Sequence, residues 1–485
     1  MPSVERRYAN EMNDPLKHKL FTIYGQILHK KVLKEAWKRV KANKGCAGID
    51  KMSIKKFNEH EDEYIEELLD ELKNKTYKPS PVRRVYIKKK NGKLRPLGVP
   101  TIKDRIVQQA ILMRIQDFFE VNVFHPNSCG FRPNMGAKDA VYKIANRLND
   151  GFRYIYDFDI KGFFDNIPHK KLMKVLNKYI ADGTVLDIIW KSLKAGYMED
   201  GIKYETPSGA VQGGVISPLI ANIYLNELDW ELYKAGIEAI RYADDAVCLC
   251  RTKEDLNRAI ATVDRVLSEL GLELSKEKTH IIDFYNDDFD YLGFTYGHWR
   301  TSKKGNRYFT YGPSKDSLKK FKSDIKALTC KTFSHSFEEW AQILNPVLRG
   351  KFNYMLIPNQ IRSQCREFAR RRGKPFEGCP SFKPNELDGY VRNRLRVNFA
   401  NRGKKSAKYR DGMMLNVKYG NDFFINVMGL HSGGFQLWSS LHQGATGTDY
   451  VQFLSNRNRR RRHNSKMTPE QKAKRRRYFN FALAR

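Results

Sequence analysis

The sequence lacks the features that mark membrane, secreted and zinc-binding proteins. No run of about 18 or more apolar residues is present, so no segment reads as a membrane-spanning helix. The first residues, MPSVERRYANEMNDP, contain no apolar core of the kind found in secretory signals, which predicts a cytoplasmic protein. The seven cysteines are scattered and form no C-x-x-C pair. Neither a disulfide framework nor a zinc site is therefore indicated.

Acidic residues are few relative to basic ones. The chain has 88 Lys plus Arg against 54 Asp plus Glu, a formal net charge of +34. Such an excess favours a polyanionic partner, because each phosphate that a cation neutralises releases counterions into solution. A solvated basic surface, or attraction to an anionic membrane, would produce the same composition. Charge alone therefore indicates nucleic acid without proving it.

The length and the changing composition predict several domains. A chain of 485 residues is too long for one compact core, since domains average roughly 150 residues. From about residue 30 to 300, short β-branched or aromatic runs alternate with amphipathic helices, which is typical of mixed helix and sheet. Beyond about residue 312 the strand signals fade, and a basic helix carries an apolar stripe that includes Phe321 and Ile325. Arginine-rich runs near the end of the sequence predict an RNA-binding tail.

Residues 239–271 give the clearest local pattern. Two apolar runs flank Ala-Asp-Asp, which predicts two strands joined by a tight turn. A helix should follow, with Thr252 as its N-cap and Gly271 just past its end. The turn would hold Asp244 and Asp245 side by side between apolar strands.

Neighbouring carboxylates between strands are costly unless a cation neutralises them. Hard oxygen ligands suit Mg²⁺, and two such ions about 4 Å apart can clamp the attacking and leaving oxygens of phosphoryl transfer. An Asp-Asp pair taken alone is more simply explained as a hairpin turn, since Asp tolerates turn geometry. The segment Tyr154–Asp159 favours the metal interpretation, because an alternating strand that ends at Asp159 can bring a third carboxylate to the turn.

Several ordered blocks also carry a family resemblance. In the centre, Phe163-Phe164-Asp165 follows the strand that ends at Asp159, and Gln212–Asn222 precedes the box Tyr242-Ala-Asp-Asp. The flanking blocks, in chain order, are Lys44–Asp50, Tyr86–Pro100, Ser128–Pro133, Leu274–Thr279 and Tyr291–Phe294. Together they resemble reverse transcriptases of the bacterial group II intron type, over about residues 30 to 355. So many blocks in one order argue against chance.

The resemblance implies an α+β fold of the right-hand polymerase kind. Fingers and a palm with an antiparallel sheet would be followed by an α-helical thumb and a maturase-like region. The predicted boundaries are 1–60 for an N-terminal RNA-binding extension, 61–300 for fingers and palm, 301–400 for the helical thumb, and 401–485 for a basic C-terminal RNA-binding region.

Metal-site roles follow from the resemblance position by position. Asp159 and Asp244 would hold two Mg²⁺ ions, for which Mn²⁺ is an alternative. Asp245 would complete the acidic cluster, and Ile160 would add a backbone contact beside the metals and the triphosphate.

Nucleotide-site roles follow in the same way. Lys89 and Arg95 would grip the incoming triphosphate, and Gln212 would contact the nucleotide at the template pair. Phe164 would lie under the sugar and exclude a 2′-hydroxyl, although simple packing beside its neighbour would also explain the residue. Lys278 would donate a proton to pyrophosphate, although a solvated lysine fits the position equally well.

The implied function is an RNA-directed DNA polymerase that binds a structured RNA and converts dNTPs into cDNA. The RNA would be either the intron that encodes the protein or, in a domesticated antiviral-defence enzyme, a dedicated noncoding RNA. A complete carboxylate triad argues against a maturase without enzymatic activity, and Phe164 argues against an RNA-dependent RNA polymerase.

Some positions depart from the family pattern. Val211 stands where a proline is usual and Lys351 where a tryptophan is usual. No paired cysteines follow residue 379, which predicts that this chain has no His/Cys endonuclease and does not cleave DNA. The departures leave the biological role open more than the chemistry, and the residues do not define an oligomeric state.

Overall fold

The computed structural model describes residues 19–88, 92, 94–210, 212–330, 333–400, 419–442 and 444–466. The chain forms two compact units, Met1–Asp287 and Asp288–Arg485. The predicted boundaries between fingers, palm and thumb subdivide the chain differently and stay predictions. Within the described residues, no helix combines the length and the apolar character that crossing a bilayer requires.

Helices and strands alternate through the first unit. Its helices are α1 (Ile23–Ile27), α2 (Lys30–Ala42), α3 (Ile54–Glu59), α4 (Glu61–Lys73), α5 (Ile102–Asn122), α6 (Ala137–Asn149), α7 (Phe163–Asn166), α8 (His169–Tyr179), α9 (Gly183–Lys194), α10 (Ser217–Lys234) and α11 (Lys253–Leu270). Its strands are β1 (Val82–Lys88), β2 (Leu94–Val99), β3 (Tyr154–Asp159), β4 (Tyr197–Glu199), β5 (Ile202–Tyr204), β6 (Glu238–Tyr242), β7 (Asp245–Cys250) and β8 (His280–Asp283). The unit is thus mixed helix and sheet, as the sequence predicts.

Two four-stranded sheets organise this unit. One has the order β2-β1-β4-β5, and the other has the order β6-β7-β3-β8. The second sheet is antiparallel throughout, which confirms the antiparallel sheet predicted around the acidic residues. Helix α11 begins and ends as predicted, because the Thr252 side chain accepts from the Asp255 amide and Gly271 adopts the left-handed φ of 71°. The hydrophobic core lies between the strands and helices such as α10, which buries residues all round its circumference.

The second unit opens with strands and continues with helices. Its strands are β9 (Phe289–Tyr291), β10 (Phe294–Thr301), β11 (Arg307–Pro313) and β12 (Gly378–Pro380), which form a sheet in the order β12-β11-β10-β9. Its helices are α12 (Lys315–Leu328), α13 (Phe337–Met355), α14 (Ile357–Arg371), α15 (Pro384–Ala400), a π-helix (Phe423–Val427), α16 (Gly433–Ser439) and α17 (Gly447–Lys466). Helix α12 buries Phe321 and Ile325, as its apolar stripe predicts. Strands β11 and β12 both lie inside the segment 301–400 that is predicted to be helical. The first helix of that segment therefore begins only at α12, and β12 adds a short strand between α14 and α15.

Candidate active site

The acidic residues of the two predicted motifs meet at one end of the antiparallel sheet. Strands β3 and β7 pair in a register that places Asp159 opposite Asp245. Strands β6 and β7 pair Tyr242 with Asp245, which leaves Ala243 and Asp244 as the turn between them. Ala243 has a φ of 61°, the left-handed value that tight hairpins need in the turn. The β6–β7 hairpin, together with the pairing of β7 with the distant strand β3, therefore brings Asp159, Asp244 and Asp245 together.

Mutual repulsion and burial perturb the carboxyl groups of this cluster. Desolvation by the surrounding strands, together with the charges of Asp244 and Asp159, raises the pKa of Asp245 to about 6. Burial also raises the pKa of Asp244, and the negative charge of Asp159 adds to the effect. Arg95 and Lys278 act in the opposite direction on Asp244, which shows that both cations lie within electrostatic range of the turn. A cation bound beside these groups would therefore lower the cost of ionising Asp244 and Asp245.

Lys278 contacts the acidic cluster directly. Its Nζ donates to Asp159 Oδ2 at 2.6 Å, and this hydrogen bond raises the pKa of the lysine. A short 3₁₀ helix, Lys276–Lys278, positions the side chain, because the Ser275 amide donates to the Asp159 carbonyl at 2.8 Å immediately before it. The lysine side chain is 67% exposed and that of Asp159 is 16% exposed. Lys278 is therefore free to exchange this carboxylate for a phosphate oxygen.

Asp157 is a fourth carboxylate that the sequence argument did not include. It lies two residues before Asp159, so strand alternation puts both side chains on one face of the sheet. Burial, followed by the charges of Asp245 and Asp159, raises its pKa to about 7. The sequence could have indicated this fourth carboxylate, because Asp157 and Asp159 are two residues apart in a predicted strand and so share one face.

Replacing Asp157 with asparagine is expected to stabilise the metal-free protein at pH 8. The folded protein holds the Asp157 proton up to a pKa of about 7, whereas an unfolded chain loses it near about 3.9. The stabilisation due to this proton is complete below the pKa of the unfolded chain. It is lost as the pH rises through the pKa of the folded protein. At pH 8 the variant should gain up to about 4 kcal/mol in free energy of unfolding, and near pH 4 less than about 0.5 kcal/mol.

Denaturant unfolding in a chelator at both pH values measures this difference. Asp187→Asn is the control for loss of a carboxylate, because Asp187 is 49% exposed and pairs with Lys191 in the adjacent helical turn. Equal stability of Asp157→Asn and the unmutated protein at pH 8 would show that the buried charge costs nothing.

A second group of predicted residues lines one wall beside the carboxylates. Arg95 Nε donates to Gln212 Oε1 at 2.8 Å, and Gln212 Nε2 donates to Asp165 Oδ1 at 3.0 Å. The Gln212 carbonyl accepts from the Gly98 amide at 2.7 Å. At Gly213, where φ is 112°, a Cβ would lie 2.4 Å from the Gly98 oxygen. The glycine thus permits close approach to strand β2, and the orientation of the Gln212 amide is held from both sides.

Phe164 belongs to the same wall. Its ring is 8% exposed and packs against Phe163 with a centroid distance of 5.3 Å. It also lines a cavity of about 300 Å³ together with Gln212, Asp165 and Arg84. The ring therefore both packs and faces a space beside the residues predicted to bind nucleotide.

Ile160 is the other predicted site residue that the structure describes. The Ile160 side chain is buried, and Ile160 lies opposite Leu274 in an isolated antiparallel bridge. The backbone hydrogen bonds of this bridge join the flanking residues: the Lys161 amide donates to the Glu273 carbonyl, and the Ser275 amide donates to the Asp159 carbonyl. The Ile160 carbonyl takes no part in these hydrogen bonds. A contact between this carbonyl and a metal ion would require that. Lys89 and Val211 lie outside the described residues.

The donor set fits a hard divalent cation chemically. Within the described ranges, no three His, Cys, Asp or Glu side chains stand in ligand geometry for a metal ion. The side chains of Asp159, Asp244 and Asp245 are nevertheless adjacent and offer only oxygen ligands, which Mg²⁺ and Mn²⁺ prefer. Burial and the neighbouring carboxylates raise the pKa of Asp245, and burial and Asp159 raise that of Asp244, so both groups are costly to ionise. A divalent cation bound to these oxygens would lower that cost.

Basic residues of the second unit lie on exposed helical surfaces. Arg370 and Arg371 both donate to Glu367, and the Arg372 guanidinium lies 5.3 Å from the centre of the Phe368 ring. Exposed ion pairs of this kind are worth about 0 to 1 kcal/mol, so phosphates could displace them easily. Lys351, the unusual residue noted in the sequence, donates to Asp324 Oδ2 at 2.8 Å and so links α13 to α12.

Comparison with known proteins gives a consistent assignment. The profile of the family described as "Reverse transcriptase (RNA-dependent DNA polymerase)" matches residues 87–296. Protein YkfC of Escherichia coli is 35% identical over 280 residues, which cover 50% of this chain and 72% of YkfC. The group II intron-encoded protein LtrA of Lactococcus lactis subsp. cremoris is 41% identical over 230 residues, which cover 47% of this chain but only 38% of LtrA.

More distant likenesses were also found. The putative COX1/OXI3 intron 2 protein of Saccharomyces cerevisiae is 34% identical over 197 residues, or 40% of this chain and 22% of that protein. A chain of a solved structure, the partial Cas6-RT-Cas1–Cas2 complex, is 22% identical with a TM-score of 0.34, covering 52% of this chain and 42% of that one.

Proposed function

The chain belongs to the reverse transcriptase family of the group II intron type, and on that premise we propose that it synthesises cDNA on a structured RNA that it binds. The observation that carries this proposal is the pairing of Asp159 with Asp245 beside the turn that bears Asp244. Gln212 and Phe164 line one cavity, and Arg95 donates to Gln212; on this proposal a nucleotide held there would reach the carboxylates.

In the proposed reaction, Asp159 and Asp244 hold two Mg²⁺ ions, and Asp245 adds negative charge to the same site. When bound, the two ions would lower the pKa of a primer 3′-hydroxyl and stabilise charge on the pyrophosphate that leaves. The protein contributes mainly by fixing these carboxylates on two paired strands, since positioning supplies much of the catalysis in phosphoryl transfer.

The neighbouring residues bind and orient the nucleotide. Arg95 offers a planar fork of N–H groups that suits phosphate oxygens, and Gln212 fixes the direction of the fork through their shared hydrogen bond. Phe164 presents its ring to the cavity, where it would stand against a 2′-hydroxyl. Lys278, which donates to Asp159, can hold a proton close to the departing pyrophosphate.

A primer-extension assay tests the proposed activity. The purified chain, an RNA template, a DNA primer, dNTPs and Mg²⁺ should yield full-length cDNA, and omission of Mg²⁺ should stop synthesis. Intron splicing assisted by the protein, with no incorporation of dNTPs on any template, would instead identify a maturase without polymerase activity.

Replacing Arg95 with lysine is expected to weaken nucleotide binding more than catalysis. Lysine keeps the charge but loses the fork and the Nε donor to Gln212. The KM for dNTP should rise about tenfold, the effect of losing about 1.4 kcal/mol, while kcat stays near the original value.

Steady-state kinetics at saturating primer-template measure both constants. Lys170→Ala, at an exposed position on α8, is a control for loss of a surface cation in the same unit. An unchanged KM in Arg95→Lys would remove Arg95 from the nucleotide site.

The RNA partner is best identified from what copurifies with the protein. Sequencing the associated RNA and DNA should recover an intron RNA if the protein serves its own intron, or a short noncoding RNA with its cDNA if the enzyme acts in defence. The net charge of +34 supports a large RNA contact in either case.

A further inference from the structure

A buried arginine lies directly behind the turn that carries the acidic residues. Arg241 is 1% exposed and precedes Tyr242-Ala243-Asp244-Asp245 on strand β6. Its backbone is fixed as well, since the Arg241 amide donates to Asn127 and the Arg241 carbonyl accepts from Cys129. A charged side chain at this depth requires a complete set of partners.

Every N–H group of the guanidinium has an acceptor. Arg241 Nε and Nη2 donate to the two carboxylate oxygens of Asp229 at 2.8 and 2.5 Å. Nη2 also donates to Ser128 Oγ at 2.8 Å, and Nη1 donates to Asn222 Oδ1 at 3.0 Å. The last N–H, on Nη1, donates to the Ala243 carbonyl at 2.8 Å. Four of these acceptors belong to elements outside the turn, and the fifth is part of the turn itself.

The contact with the Ala243 carbonyl controls the peptide that leads into Asp244. Ala243 holds a φ of 61°, which costs energy in a residue with a Cβ and persists only where the surroundings impose it. The loop at Gly130 packs against the same residue, since a Cβ there would lie 2.4 Å from the Ala243 nitrogen. Asn222 Nδ2 secures that loop through the Gly130 carbonyl at 2.7 Å. Arg241 and Asn222 thus clamp the turn from behind.

We propose that Arg241 is a positioning residue for DNA synthesis. Its guanidinium fixes the Ala243–Asp244 peptide so that the Asp244 carboxylate stays aimed at the metal-binding side of the sheet. This inference rests on the proposed function. The role needs the whole fork of Arg241, because a lysine has one nitrogen and cannot reach Asp229, Asn222 and Ala243 together.

The principal test replaces the buried ion pair without leaving an isolated charge. Arg241→Met combined with Asp229→Leu keeps apolar volume in place of the pair, an exchange that other buried pairs tolerate. We expect a folded protein whose kcat falls about 10- to 100-fold, with an unchanged KM for dNTP. Mn²⁺ affinity, followed by electron paramagnetic resonance with primer-template and a non-hydrolysable dNTP analogue, should fall by a similar factor. Arg153→Met with Asp283→Leu replaces a more exposed Arg–Asp pair, just before β3 and on β8; it is the control for removing such a pair and should keep all three values.

Other outcomes separate the alternatives. A folded double variant with the original kcat and Mn²⁺ affinity would overturn the proposal and leave Arg241 a structural residue. If the double variant does not fold, Arg241→Lys decides: reduced kcat and Mn²⁺ affinity at unchanged KM support the proposal, and original values for both overturn it. If the unmutated protein makes no cDNA, the proposed function fails, whereas the Mn²⁺ measurement still tests the position of Asp244.

Discussion

Replacing Asp244 with asparagine is expected to abolish cDNA synthesis. The residue stands in the turn beside the paired Asp159 and Asp245, and on the proposed function its carboxylate would hold a metal ion. Asparagine keeps the size and one oxygen but removes the charge that holds a divalent cation. Metal-assisted charge stabilisation is worth several kcal/mol, and therefore the rate of nucleotide addition should fall about 1,000-fold or more. Single-nucleotide incorporation measured by rapid quench gives this rate directly.

The same variant should bind RNA as tightly as the unmutated protein. RNA affinity depends mainly on contacts between cations and phosphates, and Asp244 is not one of those cations. The double variant Asp244→Ala with Asp245→Ala should behave in the same way, and Asp187→Asn, an exposed carboxylate on α9, should retain full activity. Incorporation above background by the double variant would remove these carboxylates from the catalytic site.

The sequence predicts the acidic end of the sheet because its pattern there is local. Alternation through Tyr154–Asp159 and two apolar runs around one turn define strands β3, β6 and β7, and the turn fixes the pairing of β6 with β7. Thr252 and Gly271 mark the ends of α11 by chemistry that acts within a few residues. These features follow from short-range rules, and the structure confirms them.

Contacts between distant segments could not be predicted in this way. Gln212 bridges Arg95 and Asp165. Along the chain, Arg95 lies more than a hundred positions before Gln212, and Asp165 nearly fifty positions before it. Lys278 reaches Asp159 from a distant segment whose Ser275 amide also donates to the Asp159 carbonyl. No periodicity encodes such contacts, since they arise when separate elements pack. The roles of these residues in catalysis remain predictions that the proposed variants test.

Replacing Phe164 with valine is expected to let the enzyme use ribonucleotides. The ring lines the cavity next to Gln212, and shortening it opens space where a 2′-hydroxyl would otherwise clash. Shape-based rejection of one hydroxyl is worth about 100-fold, so the ratio of kcat/KM for dNTP over rNTP should fall by about that factor. Single-nucleotide kinetics with dCTP and CTP on the same RNA template measure the ratio.

Phe163→Val provides the matched control. Phe163 is 2% exposed, packs on Phe164 and does not line the cavity, so the same truncation there removes core packing alone. It should lower the thermal midpoint because a buried ring leaves a void, yet it should keep the preference for deoxynucleotides. If both variants lost selectivity equally, or if Phe164→Val kept it, the ring would act by packing and another residue would have to exclude the 2′-hydroxyl. A selective loss at Phe164 would instead place the sugar of the incoming nucleotide against this ring, between Gln212 and the carboxylates.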